Sequence, residues 1–471
     1  MLWPFLAFFE VLGLASAVHA VMSVRTPQGT VAWVAALVVF APVAVPAYWV
    51  FGRSRFRGYV RAHERDLKRL DRLIRDANAG LTEDIVTTPA EASTLAGAER
   101  LARIPVTSGN RVELLIDGDR TFDSIFEGID QARNYALVQF YIVKDDELGR
   151  ALQSHMIERS QAGVSVYFLY DEIGCLGLPE RYIDELRKAG VHVSPFHSRK
   201  GFGNRFQLNF RNHRKVVVAD GEVSWIGGHN AGDEYMGRDP AVGGWRDTHV
   251  RIEGPATLGA QLAFVEDWRW ATDQTLSDLQ WTPASVDTSG SNVLVIASGP
   301  ADQVETASLM FAKLINGATS RLWIASPYFV PDDATIQALQ LAAFRGVDVR
   351  VLIPEKSDNP LVSLAAYSYF EDVKGVGIKM CRYQAGFLHG KYILVDHDVS
   401  TIGTANFDNR SFRLNFEITA AIIDVGFADE VQRMFEADFA NARVMEPGEY
   451  FEKPIWFRFA SRLARLFAPV L

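Results

Sequence analysis

The chain has 471 residues, 48% of them hydrophobic and 22% charged, with a net charge of −9. That size and composition suit several folded domains and exclude wholesale disorder. The acidic balance disfavours a general nucleic-acid binder, and Cys175 and Cys381 stand too far apart to suggest a disulfide framework or zinc site.

Mean hydropathy is +0.01, but the apolar residues are unevenly spread. Residues 1–24 carry one charged side chain, Glu10, and residues 30–51 carry none. The second run is long enough to cross a hydrocarbon core, with Pro42 and Pro46 as tolerated kinks. Arg53, Arg55, Arg57 and Arg61 follow at once, which places the bulk of the chain in the cytoplasm. If the first run also spans, residues 1–52 form a membrane hairpin in the cell inner membrane, turning near Arg25–Gly29. The first run can also be read as a cleaved signal peptide, although it lacks a basic start. Residues 53–100 are expected to form a basic juxtamembrane segment. Arg53–Asp76 holds nine basic and four acidic residues, and Leu67, Leu70, Leu73 and Ile74 have helical spacing suited to an anionic lipid surface.

From Leu101 the chain alternates strands and helices, which predicts an α/β fold. Val112–Ile116, Ala136–Val143, Val164–Tyr170 and Val191–Pro195 read as strands, with helices at Leu148–Ala162 and Pro179–Ala189. After a polar stretch at Leu276–Ser291 the pattern returns. Strands are expected at Val293–Ala297, Arg321–Ser326, Val347–Ile353 and Gly377–Cys381, and helices at Val304–Asn316 and Ala334–Arg345. The division is therefore a first half at 101–285 and a second at 286–450. Residues 451–471 close the chain. There Trp456, Phe457, Phe459, Leu463, Leu466 and Phe467 alternate with Arg458, Arg462 and Arg465, as in an interfacial amphipathic helix.

The two halves share residues at one offset. His213 and His389 are 176 apart, and at the same spacing Lys215 matches Lys391, Asp220 matches Asp396, Gly227 matches Gly403 and Asn230 matches Asn406. Such agreement predicts an internal duplication. Each half reads H-x-K-x-x-x-x-D and then G-x-x-N. The run after the lysine is mostly apolar and β-prone, so His and Lys at i and i+2 share one face of a strand and reach one anion.

Two His–Lys pairs suit phosphoryl chemistry without a metal or cofactor. Lys215, Lys391, Asn230, Asn406 and the Thr404 hydroxyl are the expected phosphate binders. Imidazole serves as nucleophile when neutral and as general acid when protonated. One histidine can then carry a covalent phosphoryl group while the other protonates the leaving alkoxide. A histidine also needs an orienting acid. Asp247 follows His213 by 34 residues and Glu417 follows His389 by 28, so each is assigned to the histidine of its own half. Asp220 and Asp396 complete the motif, with a structural hydrogen-bonding role as the simpler reading of each. His229, His249 and His397 have no counterpart and are read as ordinary, and Gly201-Phe-Gly203 is too short for a dinucleotide loop.

At these residues the sequence resembles the phospholipase D superfamily, and more narrowly the bacterial-type cardiolipin synthases. The likeness covers nearly the whole chain and is carried by Asn212-His213-Arg214-Lys215, Gly232-Asp233-Glu234-Tyr235, Trp245-Arg246-Asp247-Thr248-His249, Phe387-Leu388-His389 and Asn406-Phe407-Asp408-Asn409-Arg410-Ser411-Phe412. It departs from the family at Gly390, where alanine or serine is frequent, and at Thr404, where serine is. The resemblance implies two tandem α/β/α sandwich domains with the site between them, His213 as nucleophile and His389 as acid. It implies transfer of a phosphatidyl group from one phosphatidylglycerol to another. A hydrolase, or a synthase using phosphatidylethanolamine as donor, would have the same motifs.

Overall fold

The computed structural model describes residues 2–24, 27–52, 75, 95, 97–196, 209–238, 243–276, 278–282, 286, 290–373, 375–446 and 448–471. Most of the expected juxtamembrane segment, and Gly201-Phe-Gly203, lie outside them.

Three apolar helices begin the chain: α1 (Leu2–Ser23), α2 (Pro27–Val39) and α3 (Ala41–Phe51). Among the described helices only α1 is long and apolar enough to cross a membrane. The run expected as one span at 30–51 is instead broken at Phe40, because Pro42 stands in the first turn of α3 and cannot donate the backbone hydrogen bond of a continuous helix. The three helices pack on small residues, Ala17, Ala20, Ala41 and Ala44, around Leu37 and Tyr48. A Cβ on Gly13 would lie 2.5 Å from the Leu37 carbonyl oxygen, so the approach of α1 to α2 requires glycine.

The body is mixed α/β. The strands of its first half are β1 (Thr107–Ile116), β2 (Tyr135–Phe140), β3 (Ser165–Asp171), β4 (His192–Phe196), β5 (Arg211–Asn212), β6 (Val216–Ala219), β7 (Val223–Gly227), β8 (Trp245–Arg246) and β9 (Thr248–Glu253). Those of the second are β10 (Ser291–Ser298), β11 (Arg321–Ala325), β12 (Phe329–Val330), β13 (Asp348–Pro354), β14 (Lys379–Tyr383), β15 (Phe387–Leu388), β16 (Tyr392–Val395), β17 (Val399–Gly403), β18 (Phe407–Asp408), β19 (Asn415–Ile423) and β20 (Ala442–Val444). One sheet runs through both halves in the order β20-β14-β13-β11-β16-β17-β19-β10-β1-β9-β7-β6-β2-β3-β4. Outward from the central antiparallel β1–β10 pair, the order is β1-β9-β7-β6-β2-β3-β4 on one side and β10-β19-β17-β16-β11-β13-β14 on the other. The expected strands and helices are present with end shifts of a few residues. β2 stops at Phe140 because Val143 leaves the sheet to bridge Ala231.

Both H-x-K motifs run into interior strands of this sheet, β6 and β16, whose residues are all buried. The two motif aspartates end those strands. Asp220 (φ 52°) and Asp396 (φ 53°) adopt the left-handed conformation that Asp tolerates in tight turns. The Asp220 carboxylate accepts the backbone N–H groups of Arg133, Asn134 and Tyr135 at 2.7, 2.8 and 2.9 Å. Asp396 does the same for Thr319, Ser320 and Arg321 at 3.0, 2.7 and 3.1 Å. Each aspartate thus ties the motif hairpin to the start of its neighbour, β2 or β11, and the structural reading accounts for both residues. Asp220→Ala and Asp396→Ala are each expected to lower unfolding free energy by about 2–4 kcal/mol, from several lost charge-assisted hydrogen bonds. Chemical denaturation checks this; an unchanged midpoint would contradict it.

Candidate active site

The two histidines meet across the boundary between the halves. β5, which leads into His213, pairs in parallel with the start of β19 (Arg211 opposite Asn415, Asn212 opposite Phe416). β15, which leads into His389, pairs in parallel with β8 (Phe387 opposite Trp245, Leu388 opposite Arg246). The backbone contacts then repeat: the His213 N–H donates to the Phe416 carbonyl at 2.9 Å and the His389 N–H to the Arg246 carbonyl at 2.8 Å. Phe416 and Arg246 are the residues just before Glu417 and Asp247. Each histidine is therefore delivered to the carboxylate of the opposite half.

His213 Nδ1 lies 2.9 Å from Glu417 Oε2, and His389 Nδ1 lies 2.6 Å from Asp247 Oδ2. This corrects the same-half assignment made from the sequence. The acids are the two expected residues, but the pairs are crossed, because short parallel bridges between halves bring β19 to His213 and β8 to His389. With Nδ1 engaged by a carboxylate, Nε2 is the ring nitrogen left for substrate in both cases.

Lys215 Nζ donates to the His213 carbonyl at 2.7 Å. Lys391 Nζ donates to the His389 carbonyl and lies 2.9 Å from His389 Nδ1. Asn230 Oδ1 accepts the Ile142 N–H at 3.0 Å, and the Asn406 N–H donates to Ser411 Oγ at 3.0 Å. Thr404 does not stand free to bind phosphate by its hydroxyl alone: it donates to Glu417 Oε2 at 2.6 Å.

The surroundings of the two carboxylates differ. Glu417 also accepts from the Ser411 hydroxyl at 2.8 Å and the Asn415 amide at 3.1 Å. Asp247 accepts the Thr248 N–H at 2.8 Å and the Trp245 indole at 3.4 Å. Gly228 occupies the place that Thr404 fills in the other half, and a Cβ there would come within 2.0 Å of Asp247 Oδ1. The shorter acid and the glycine belong together.

Asn415 and Gly228 carried no pattern that marked them, and Ser411 stood in a family-like stretch with no role assigned to it. Two buried arginines, Arg214 and Arg246, also stood in family-like stretches with no role assigned, and the structure shows them locking the halves. Arg214 pairs with Asp267 at 2.9 Å and donates to the carbonyls of Glu417 and Ser298, at 3.1 and 3.2 Å. Arg246 makes a two-pronged bond to Asp438 at 2.7 and 3.0 Å and also reaches Asp117 at 3.2 Å. Burial favours such groups only when they are paired in this way.

Burial dominates the proton affinities. It pulls His213 down to about 4 against the opposing pull of Glu417, and His389 down to about 3, aided by Lys391 and opposed by Asp247. Burial likewise lowers Lys215 to about 7 and Lys391 to about 8, although the carboxylates oppose it. Burial alone would raise both acids. His213, Lys215 and the Thr404 hydroxyl hold Glu417 below its ordinary value, and Lys391, His229 and His389 hold Asp247 well below its own. His213 is influenced by Lys391 and His389 by Lys215, so the four groups form one electrostatic unit. Two carboxylates face two lysines, and an arriving phosphodiester adds the negative charge that raises the histidines' proton affinity.

Comparison with known proteins places the chain in a family. A family model described as cardiolipin synthase, PLD-like domain, matches residues 311–439. Cardiolipin synthase A of Pseudomonas aeruginosa is 45% identical over 465 residues, covering 98% of this chain and 94% of that protein. Cardiolipin synthase A of Pseudomonas fluorescens is 44% identical over 469 residues, covering 99% and 98%. Among solved structures, a phosphatidylserine synthase of Haemophilus influenzae matches with a TM-score of 0.62 at 15% identity, over 80% of this chain and 99% of that one. A polyphosphate kinase of Porphyromonas gingivalis matches with a TM-score of 0.50 at 13% identity, over 77% and 54%. These two show the fold alone.

Glu417→Gln and Asp247→Asn should each lower turnover by roughly 10³–10⁴-fold, the cost of losing a histidine's orienting carboxylate. Steady-state kinetics of the two variants test this. Stability should respond to pH with a definite sign. His213 and His389 stay neutral in the folded chain below pH 6.5, whereas an unfolded histidine takes up a proton there. Unfolding is therefore favoured as pH falls from about 6.5 toward 4. The melting temperature should drop over that window, and His213→Gln should make the drop shallower.

Proposed function

We propose that this chain, which belongs to the cardiolipin synthase family, is a phosphatidyltransferase working through a phosphohistidine on His213. The observation that carries the reading is the crossed pair of buried His–carboxylate contacts with two lysines between them. His213 Nδ1 is bonded only to acceptor oxygens of Glu417, so it carries the proton and leaves an Nε2 lone pair. His389 Nδ1 lies between an acceptor, Asp247, and a donor, Lys391, so the ring can hold a proton on Nε2 for a leaving group.

His213 Nε2 attacks the phosphorus of phosphatidylglycerol. A P–N bond forms, the P–O bond to glycerol breaks, and His389 Nε2–H protonates the departing alkoxide. The hydroxyl of a second phosphatidylglycerol then gives its proton to His389 Nε2 while its oxygen attacks phosphorus and the P–N bond breaks. Cardiolipin and free enzyme result. Lys215, Lys391, Asn230 and Asn406 bind the phosphoryl oxygens, and no metal or other cofactor enters. The lysines offset charge where it builds up.

The two halves are read as a duplication, 101–285 and 286–450, supported by the shared offset and the matching strand order. The N-terminal helices are read as a membrane hairpin, α1 crossing once and α2–α3 returning with a kink, which leaves the catalytic halves in the cytoplasm. The closing helix Ile455–Arg465 exposes Trp456 (67%), Phe459 (70%) and Leu463 (48%), as expected of a surface lying on anionic lipid. Arg462 and Arg465 pair with Glu371 and Asp372, which fixes the opposite side of the helix to the body.

Purified protein given phosphatidylglycerol vesicles should release glycerol and make cardiolipin; phosphatidic acid as sole product would mean hydrolysis instead. Product from phosphatidylethanolamine alone would reassign the donor. Trapping of a covalent phosphatidyl-enzyme should be lost in His213→Ala and retained in His389→Ala, and the reverse pattern would exchange the two roles. Trp456→Glu combined with Phe459→Glu should slow cardiolipin formation from vesicles more than reaction with a short-chain soluble analogue.

A further inference from the structure

The doubled site is not symmetric in charge. Arg211 stands two residues before His213, and the matching position before His389 is Phe387. Arg410 stands four residues after Asn406, and the matching position after Asn230 is Glu234. Each cation of one flank is thus replaced by a ring or a carboxylate on the other.

The fold brings these two arginines, one from each half, to one place. Arg410 Nη2 donates to the Asn209 carbonyl at 2.7 Å, and Arg211 Nη1 donates to the next carbonyl, Phe210, at 2.9 Å. Tyr141 connects them to the catalytic centre. Its ring lies 5.0 Å from the His213 ring and 5.3 Å from the Lys215 ammonium, and the charge of Arg211 acts on its hydroxyl. Burial and the charge of Arg211 both hold Arg410 below its ordinary proton affinity. Asp171 and Asp408 offset part of that charge and are themselves held by backbone N–H groups: Ile173, Gly174 and Asn212 for Asp171, and Ser411 for Asp408. Adjacent guanidinium groups in a poorly solvated place favour a bound anion, and their planar forks fit two oxygens of a phosphate.

Among the described residues the opposite flank offers no such place. Trp245 and Phe387 lie 5.0 and 5.9 Å from His389, Glu234 pairs with Lys144 at 2.6 Å, and Tyr328 donates to Asp358 at 2.9 Å. The proposed reaction brings together two lipids that each carry a phosphodiester charge. Lys215 and Lys391 serve the reacting one. The acceptor's own phosphate lies three carbons from its attacking hydroxyl and needs separate cations.

We infer that Arg211, Arg410 and the Tyr141 hydroxyl form a second phosphodiester subsite, which holds the acceptor lipid's phosphate while its hydroxyl reaches the phosphohistidine. The inference rests on the transferase reading above and specifies how that site selects a lipid acceptor. Glycerol, a neutral acceptor, does not need the subsite.

The test uses the full chain in phosphatidylglycerol vesicles with labelled glycerol present. Cardiolipin reports transfer to the anionic acceptor, and label entering phosphatidylglycerol reports transfer to the neutral one. Arg211→Gln and Arg410→Gln should each cut cardiolipin formation by roughly 10–100-fold, the worth of a hydrogen bond to a charged group, and leave glycerol exchange largely intact. A parallel loss of both products in Arg211→Gln would place the cations on the donor or in the scaffold and overturn the subsite, as would unchanged cardiolipin output. If Arg410→Gln fails to fold, the product ratio of Arg211→Gln, whose side chain is only partly buried, decides alone. Wild-type protein that made neither product but released phosphatidic acid would instead remove the transferase reading itself.

Discussion

The site depends on one constraint: a buried imidazole must be held by a carboxylate, and here each carboxylate comes from the other half. A lone histidine, lysine or acid in this interior would be costly. Together His213, Glu417 and Lys215 with His389, Asp247 and Lys391 form a set in which every charge has a partner within electrostatic reach. Neither half by itself holds a complete His–carboxylate pair of this set. The β1–β10 pairing, the two short parallel bridges and the buried Arg214 and Arg246 therefore belong to the catalytic design as much as to the fold.

The same constraint explains the supporting residues. Asp220 and Asp396 are far along the strand from the reacting atoms, yet they fix where the hairpin carrying His and Lys begins and ends. Gly228 is small because Asp247 must lie against it, and Thr404 carries a hydroxyl because Glu417 accepts it. Equivalent positions thus diverge in step with the acid each one touches. Two related halves can then impose two different roles on a pair of chemically identical histidines.

Charge divides along the same line. The His213 flank gathers Arg211 and Arg410, while the His389 flank gathers aromatic rings and the Glu234 and Asp358 carboxylates. A symmetric pocket would treat leaving group and acceptor alike. An asymmetric one can release neutral glycerol and engage a charged lipid. On the membrane reading proposed above, the apolar faces near both ends of the chain would keep that pocket where such lipids are concentrated, which raises the effective concentration of acceptor over water.

Much of this was legible in the residue order. The β-prone run after each lysine marked β6 and β16, although His and Lys themselves lie just ahead of those strands rather than on them, and the 176-residue offset set the two motifs in register. The alternation of apolar runs set out the strands and helices, and even the acids were found, since a histidine nucleophile needs one. The partner of each histidine was not legible. Local periodicity reports which face a side chain occupies, but not which distant strand end crosses a boundary to meet it. Glu417 lies 204 residues from His213 and Asp438 lies 192 from Arg246, and no pattern along the chain encodes those separations. The sequence by itself determined the family likeness, the two H-x-K motifs at one offset and the apolar N-terminus. Only the tertiary structure decided the crossed pairing and the meeting of Arg211 with Arg410, because each depends on packing between segments far apart in the chain.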